Sequence, residues 1–108
     1  MTTLAEAVAA LAPETARAWA EALQESERAS IAATEARSVM HDGSVKRAGE
    51  SVPQWLVRTR AEQAAWHEAF RAAQAAWLRM PLEVRAMCNY ARAAEVLAAL
   101  RARAEVTA

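Results

Sequence analysis

The chain has 108 residues, with 13 acidic and 13 basic side chains and a single cysteine. This length allows one hydrophobic core, and the balanced charge does not give the strongly basic surface that is typical of nucleic-acid-binding domains. One cysteine excludes an intrachain disulfide, and no apolar run approaches the ~20 residues of a membrane-spanning helix.

Helix-forming residues dominate the composition. Alanine is abundant, whereas glycine occurs twice and proline three times. Because alanine has the best helix propensity and glycine and proline the worst, the sequence predicts an all-α protein. We expect a single helical domain over residues 1–108, with a long antiparallel helical hairpin, a C-terminal helix and a short N-terminal helical turn. These helices form either a bundle or a coiled-coil oligomer.

The first two helices meet at a proline. Thr3 and Glu6 match a capping box, so a helix is predicted over residues 3–11. Pro13 interrupts it and suits the first turn of the next helix, predicted over 13–40. That second helix carries mainly small and polar residues after Leu23. Such a surface either pairs closely with the next helix or is solvated, and the sequence leaves both open.

A loop is predicted over residues 42–51, which contain both glycines. Ser51 and Gln54 form a second capping box that opens a helix over 52–80. Pro81 then produces either a kink or a tight corner, because a residue before proline is driven out of helical geometry. A last helix is predicted over residues 82–104.

The helix over 52–80 carries the most distinctive pattern of the chain. Spacings of four and three place one stripe along it, and bulky apolar residues dominate its C-terminal half. Trp55 lies one position from this stripe, whose members are Val52, Leu56, Thr59, Gln63, Trp66, Phe70, Ala73, Trp77 and Met80. With Tyr90 and Leu97 of the last helix, we expect the interaction face to comprise Leu56, Trp66, Phe70, Ala73, Trp77, Met80, Tyr90 and Leu97.

The tryptophans allow two interpretations. Four tryptophans stand beside one phenylalanine and one tyrosine, and Trp55, Trp66 and Trp77 recur every 11 residues along one face. They either fill a core that is otherwise made of alanine or form an exposed aromatic strip. Tryptophan is enriched at interface hot spots and at boundaries between apolar phases and water.

The sequence contains only incomplete catalytic and metal-binding motifs. His67 and Glu68 begin a helical zinc motif, but Arg71 stands where the second histidine would be. His41 beside Asp42 is explained by helix capping, and Cys88 has no obvious activating group. We therefore expect neither enzymatic activity nor a metal or cofactor, and a cytoplasmic location in a reducing compartment.

Charge is distributed unevenly along the chain. Residues 1–45 carry seven acids and three bases, and the remainder carries six acids and ten bases, giving charges of −4 and +4. Many arginines of the second half have an acid one helical turn away, for example Arg79 with Glu83, which is typical of a solvated face. Complementary halves favour packing within one chain or between two copies, so nucleic acid is an unlikely partner.

A resemblance gives the most concrete hypothesis. The segment from Trp77 to Val84, with Pro81 followed by an acidic and an aliphatic residue and then by Tyr90, resembles the phasins, which coat polyhydroxyalkanoate granules. The alanine-rich segment 72–76 is also similar, and the likeness covers about residues 60–103. Four tryptophans and the preference for arginine over lysine depart from the family. The resemblance implies no catalysis, self-association through helical hairpins and adsorption to a polyester surface.

The sequence thus predicts a non-enzymatic helical interaction protein that assembles as a dimer or larger homo-oligomer, with a phasin-like coating of an apolar granule as its most concrete form. The alternative is a small adaptor or inhibitor, regulatory or phage-encoded, that binds a partner protein through its Trp and Phe helix face. A DNA-binding regulator is a distant third hypothesis.

Overall fold

A computed structural model describes residues 3–106 and confirms the all-α class. In this part of the chain the secondary structure consists of five helices. Their bounds are α1 Leu4–Ala9, α2 Pro13–Asp42, α3 Val52–Arg79, α4 Leu82–Met87 and α5 Ala93–Ala104. The two long helices pack against each other. Helix α1 is shorter than the predicted segment, and α2 extends past the predicted end.

Both predicted capping boxes are present. The Thr3 hydroxyl accepts a hydrogen bond from the Glu6 backbone N–H at 3.2 Å, and the Glu6 carboxylate accepts one from the Thr3 N–H at 3.5 Å. Ser51 and Gln54 repeat this exchange at 3.3 and 2.9 Å. Each pair satisfies backbone donors that the first turn of a helix leaves free.

The predicted helix over 82–104 is wrong, because the chain forms two helices there. Helix α4 ends at Met87 and α5 begins at Ala93. Cys88, Asn89 and Tyr90 are three consecutive residues of modest helix propensity. The break also serves the core, since Val84 and Val96 are both fully buried. In one continuous helix these two valines would point about 120° apart.

Pro81 turns the chain instead of bending a helix. Helix α3 ends at Arg79, and Pro81 is the N-cap of α4 with φ −55° and ψ 145°. That ψ is extended rather than helical, so the backbone leaves the direction of α3 before α4 begins. Of the two alternatives, a corner is therefore the observed one.

The described chain divides into two compact units. Unit 1 contains residues 3–27 and 76–106, and unit 2 contains residues 28–75. Helices α1, α4 and α5 lie in unit 1, together with the first part of α2 and the last residues of α3. Unit 2 contains the remainder of α2, the connecting loop and most of α3.

Unit 1 holds the hydrophobic core. Val8 of α1 and Ala16 of α2 are buried in one cluster with the large side chains Leu23, Met80, Val84, Val96 and Leu100. Helices α1, α2, α4 and α5 contribute to this cluster, together with Met80 at the corner that follows α3. Leu97 packs against it from a partly buried position. The core is small, so each large side chain contributes a large part of the free energy of unfolding.

Arginines tie the chain segments of unit 1 together. Arg103 donates to the Leu11 carbonyl at 2.7 Å, and Arg17 donates to the Ala104 carbonyl at 3.1 Å. These bonds satisfy carbonyl groups at the ends of α1 and α5, where no intrahelical donor exists. Arg79 pairs with Glu25 at 2.7 Å, and not with Glu83 as its spacing predicts.

Unit 2 packs through small side chains. Ala33 is buried, and half-buried alanines at 29, 36, 69 and 73 recur at heptad-like spacings on α2 and α3. The small and polar surface of α2 is thus a pairing surface, at least along this line. Gly43 lies one heptad after Ala36 and continues this line. A Cβ atom there would collide with the Glu62 side chain.

One arginine organises the loop of unit 2. Arg58 donates to the Gly43 and Val45 carbonyls at 2.6 and 3.1 Å, and forms two 2.8 Å bonds with the Glu50 carboxylate. Glu62 lies 3.4 Å from the same guanidinium. The hydrogen bond with Arg58 holds the pKa of Glu50 well below its usual range, at about 2. A planar guanidinium suits this bidentate geometry, whereas a lysine would not.

The Glu50 pair predicts a pH dependence. A carboxyl whose pKa is lower in the folded state stabilises the fold above its unfolded pKa and loses this contribution as pH falls. For Glu50 the loss occurs between pH of about 4.5 and about 2. We expect Glu50→Gln to remove this part of the acid sensitivity, measured as the urea midpoint against pH. Glu68→Gln, an exposed carboxylate in the same unit, is the control; identical curves for all three proteins would contradict the pair.

The core of unit 1 predicts a second outcome. Leu100 is fully buried, whereas Leu78 is 64% exposed. We expect Leu100→Ala to lower the free energy of unfolding by about 2–5 kcal/mol, the range for buried leucines, because it leaves a cavity. Leu78→Ala should change it by less than about 0.5 kcal/mol. Chemical denaturation checks both values, and equal losses would contradict the assignment of the core.

Candidate functional site

The predicted interaction face is divided in the structure between exposed and buried positions. Tyr90 is 89% exposed, Phe70 50%, Trp77 40% and Leu56 39%. Trp66, Ala73 and Leu97 are half-buried, and Met80 belongs to the core of unit 1. Leu56, Trp66, Phe70 and Ala73 lie in unit 2, and the other four residues lie in unit 1.

The buried line of α3 in unit 2 differs from the predicted stripe by one residue at alternate positions. Thr59, Trp66 and Ala73 lie on it as predicted. At three other positions of the stripe the preceding residue lies on the buried line instead. Trp55, Glu62 and Ala69 are half-buried, whereas Leu56, Gln63 and Phe70 are exposed. Ala69 allows the close helix approach that a phenylalanine would prevent, whereas nearer the loop the same line includes the large side chain of Trp55.

This arrangement leaves an apolar line on the surface of unit 2. Val52, Leu56 and Phe70 are all exposed. On an ideal helix these residues lie within about 40° of one another over a length of about 27 Å. We name Val52, Leu56 and Phe70 the α3 stripe. Gln63, a polar and exposed residue, lies between Leu56 and Phe70 on the same side of the helix.

Trp66 borders the α3 stripe and fixes its aromatic end. Its ring lies 6.1 Å from that of Phe70 with an interplanar angle of 47°, and 5.0 Å from that of His67 with an angle of 72°. Edge-to-face and tilted pairs of this kind are favourable arrangements for aromatic rings. His67 is therefore placed beside an indole and not among metal ligands.

Unit 1 contains a second candidate surface, a groove of about 580 Å³. We name it the Trp19 groove. It is lined mainly by apolar side chains of α1, α2 and α4 and of the turn after α4. They include Leu4, Leu11, Trp19, Met87 and Tyr90, with Thr3 and Glu83 as polar members. Its volume falls in the range of small-molecule sites.

Sequence analysis missed this groove for a physical reason. The helical pattern predicts that Tyr90 and Leu97 share one helix, but the break after Met87 puts Tyr90 in a turn. There it lines one groove with residues of α1 and α2, which are distant in sequence. The low helix propensity of Cys88, Asn89 and Tyr90 is the one signal that could have indicated the break.

The residues considered for metal binding and catalysis form no metal-binding cluster in the described part of the chain. Within residues 3–106 no group of three His, Cys, Asp or Glu side chains could hold a metal ion. Burial raises the pKa of the Cys88 thiol, with Glu27 acting in the same direction. A raised pKa leaves less of the nucleophilic thiolate at neutral pH. In the same part of the chain, no helix is both long and apolar enough to cross a membrane.

The chain matches no model of a known protein family, no curated protein and no solved structure. The α3 stripe and the Trp19 groove are therefore interpreted from their own geometry and chemistry.

Proposed function

We propose that this protein is a non-enzymatic helical interaction protein that adsorbs to an apolar surface through the α3 stripe and associates with copies of itself. Its most concrete form is a phasin-like coat on an apolar granule. The observation that carries the proposal is the exposure of Val52, Leu56 and Phe70 on one side of α3, beside the line of half-buried residues that includes Trp66, Ala69 and Ala73.

The geometry of unit 2 supports adsorption. Two helices have one seam between them, so each buries one line of side chains and leaves the rest of its surface free. Val52, Leu56 and Phe70 lie along about 27 Å of α3, with Gln63 between Leu56 and Phe70, and all three can reach a flat or gently curved surface at once. Complete burial of a valine, leucine or phenylalanine side chain is worth about 1.5–3 kcal/mol, and half-exposed residues retain part of that.

Self-association follows from the same chemistry. An apolar line without a surface to cover it is satisfied by the same line on another copy, an isologous contact. The charge halves of −4 and +4 along the sequence favour antiparallel contact between copies. A coat of associated molecules would then expose the polar sides of α2 and α3 to water.

A protein partner is the second candidate. Trp66 and Phe70 form an aromatic pair on the surface of unit 2, and such residues are enriched at the hot spots of protein interfaces. An adaptor or inhibitor would insert this pair into a pocket of its partner. Binding to a protein partner in this way needs only the aromatic end of the α3 stripe, whereas adsorption also uses Val52 and Leu56.

Adsorption to polyester particles tests the proposal. The double variant Leu56→Asp and Phe70→Asp places charge on the α3 stripe. We expect it to weaken binding to polyhydroxybutyrate nanoparticles at least tenfold, measured by cosedimentation, because two apolar contacts are lost and two charges must be desolvated.

The matched control is the double variant Ile31→Asp and Val39→Asp. Both residues are exposed apolar side chains of unit 2, on α2 and outside the α3 stripe. Circular dichroism first establishes that each variant is helical. Equal binding of the two variants would contradict the role of the α3 stripe. Absence of particle binding by the unaltered protein, with a stable monomer in light scattering, would contradict the whole proposal.

A further inference from the structure

The Trp19 groove lies in unit 1 and is independent of the α3 stripe. Its floor and walls are apolar, and its lining includes one acidic and no basic side chain. The acidic one is Glu83, in the first turn of α4. Its aromatic members are Trp19, which is half-buried, and Tyr90, which is 89% exposed.

Glu83 has no salt bridge within the described residues. Arg79, which stands one helical turn before it in the sequence, pairs with Glu25 instead. The corner at Pro81 explains this exchange, since Arg79 is the last residue of α3 and Glu83 belongs to another helix. The carboxylate at the groove is therefore available to a ligand.

The aromatic residues favour the same sign of charge. The faces of indole and phenol rings attract cations, and tryptophan does so most strongly. A carboxylate at the rim adds coulombic attraction for a cation and repels an anion. Tyr90 is exposed almost completely, so it has surface to bury against a ligand. Apolar walls, two aromatic rings and one free carboxylate together define the chemistry of the occupant.

We propose that the Trp19 groove binds a small organic cation with an apolar body, such as an aryl or alkyl ammonium compound. The ammonium group lies near Glu83 and the aromatic rings, and the apolar body lies against Leu4, Leu11 and Met87. The groove volume of about 580 Å³ accommodates a compound of two aromatic rings. Charge complementarity selects a cation over a neutral or anionic compound of the same shape.

Three probes of one shape test this selection. They are biphenyl-4-ylmethylammonium, biphenyl-4-ylmethanol and biphenyl-4-carboxylate, which carry positive, zero and negative charge. Titration is followed by the methionine methyl signals of the full chain in NMR spectra. We expect the Met87 signal to move and that of Met40, in unit 2, to stay. The cation should bind roughly threefold to tenfold more tightly than the alcohol, and the anion most weakly.

Glu83→Gln keeps the shape of the side chain and removes its charge. We expect this variant to lose most of the preference for the cation while it binds the alcohol unchanged. Glu95→Gln removes an exposed carboxylate of the same unit that does not line the groove, and it should keep the preference.

Several results would overturn the assignment. They are equal affinity for cation and alcohol, an unchanged preference in Glu83→Gln, movement of the Met40 signal in place of Met87, or no binding of any probe. A Met87 signal that moves with protein concentration alone would assign the groove to a second copy of the chain, which also overturns it. None of these outcomes depends on particle binding by the α3 stripe.

Discussion

The alanine packing of α2 and α3 in unit 2 is the constraint on which the surface of this protein depends. Ala33 is buried and the alanines at 29, 36, 69 and 73 are half-buried, so the helices meet through methyl groups. Close approach of the helices at Ala69 and Ala73 leaves no space for a phenylalanine on the same part of the line. Phe70 therefore lies on the surface, and Gly43 and the Arg58 network close the end of the hairpin, where a Cβ atom on Gly43 would collide with the Glu62 side chain.

Unit 1, in contrast to unit 2, gathers large apolar side chains into one buried core. It has few large apolar residues, and it buries Leu23, Met80, Val84, Val96 and Leu100 together by bringing five chain segments around them. The corner at Pro81 and the break between α4 and α5 are both needed for this, since each changes the direction of the chain. The same changes of direction form the Trp19 groove and separate Glu83 from Arg79. Fold and candidate binding site in this unit thus have a common cause.

Local signals in the sequence predicted the helices well and their contacts less well. Two capping boxes and Pro13 located the starts of α1, α2 and α3, because these effects act within one turn. The stripe on α3 was wrong at alternate positions, because hydrophobicity alone favours Phe70 over Ala69 on the buried line. Steric fit between two helices decided otherwise, and it depends on α2. The Trp19 groove joins residues up to about 90 positions apart, so no local pattern could indicate it.

The close packing of α2 and α3 is tested most directly by the free energy of unfolding after a side chain in the seam is enlarged. Ala33→Leu adds three heavy atoms to the buried line, and Ala32→Leu adds the same atoms at an exposed neighbour. Close packing of the seam predicts a loss of about 1–3 kcal/mol for Ala33→Leu, from overpacking, and little change for Ala32→Leu. A stabilised Ala33→Leu protein would contradict close packing, because it would mean that the seam has room for a large side chain at this position.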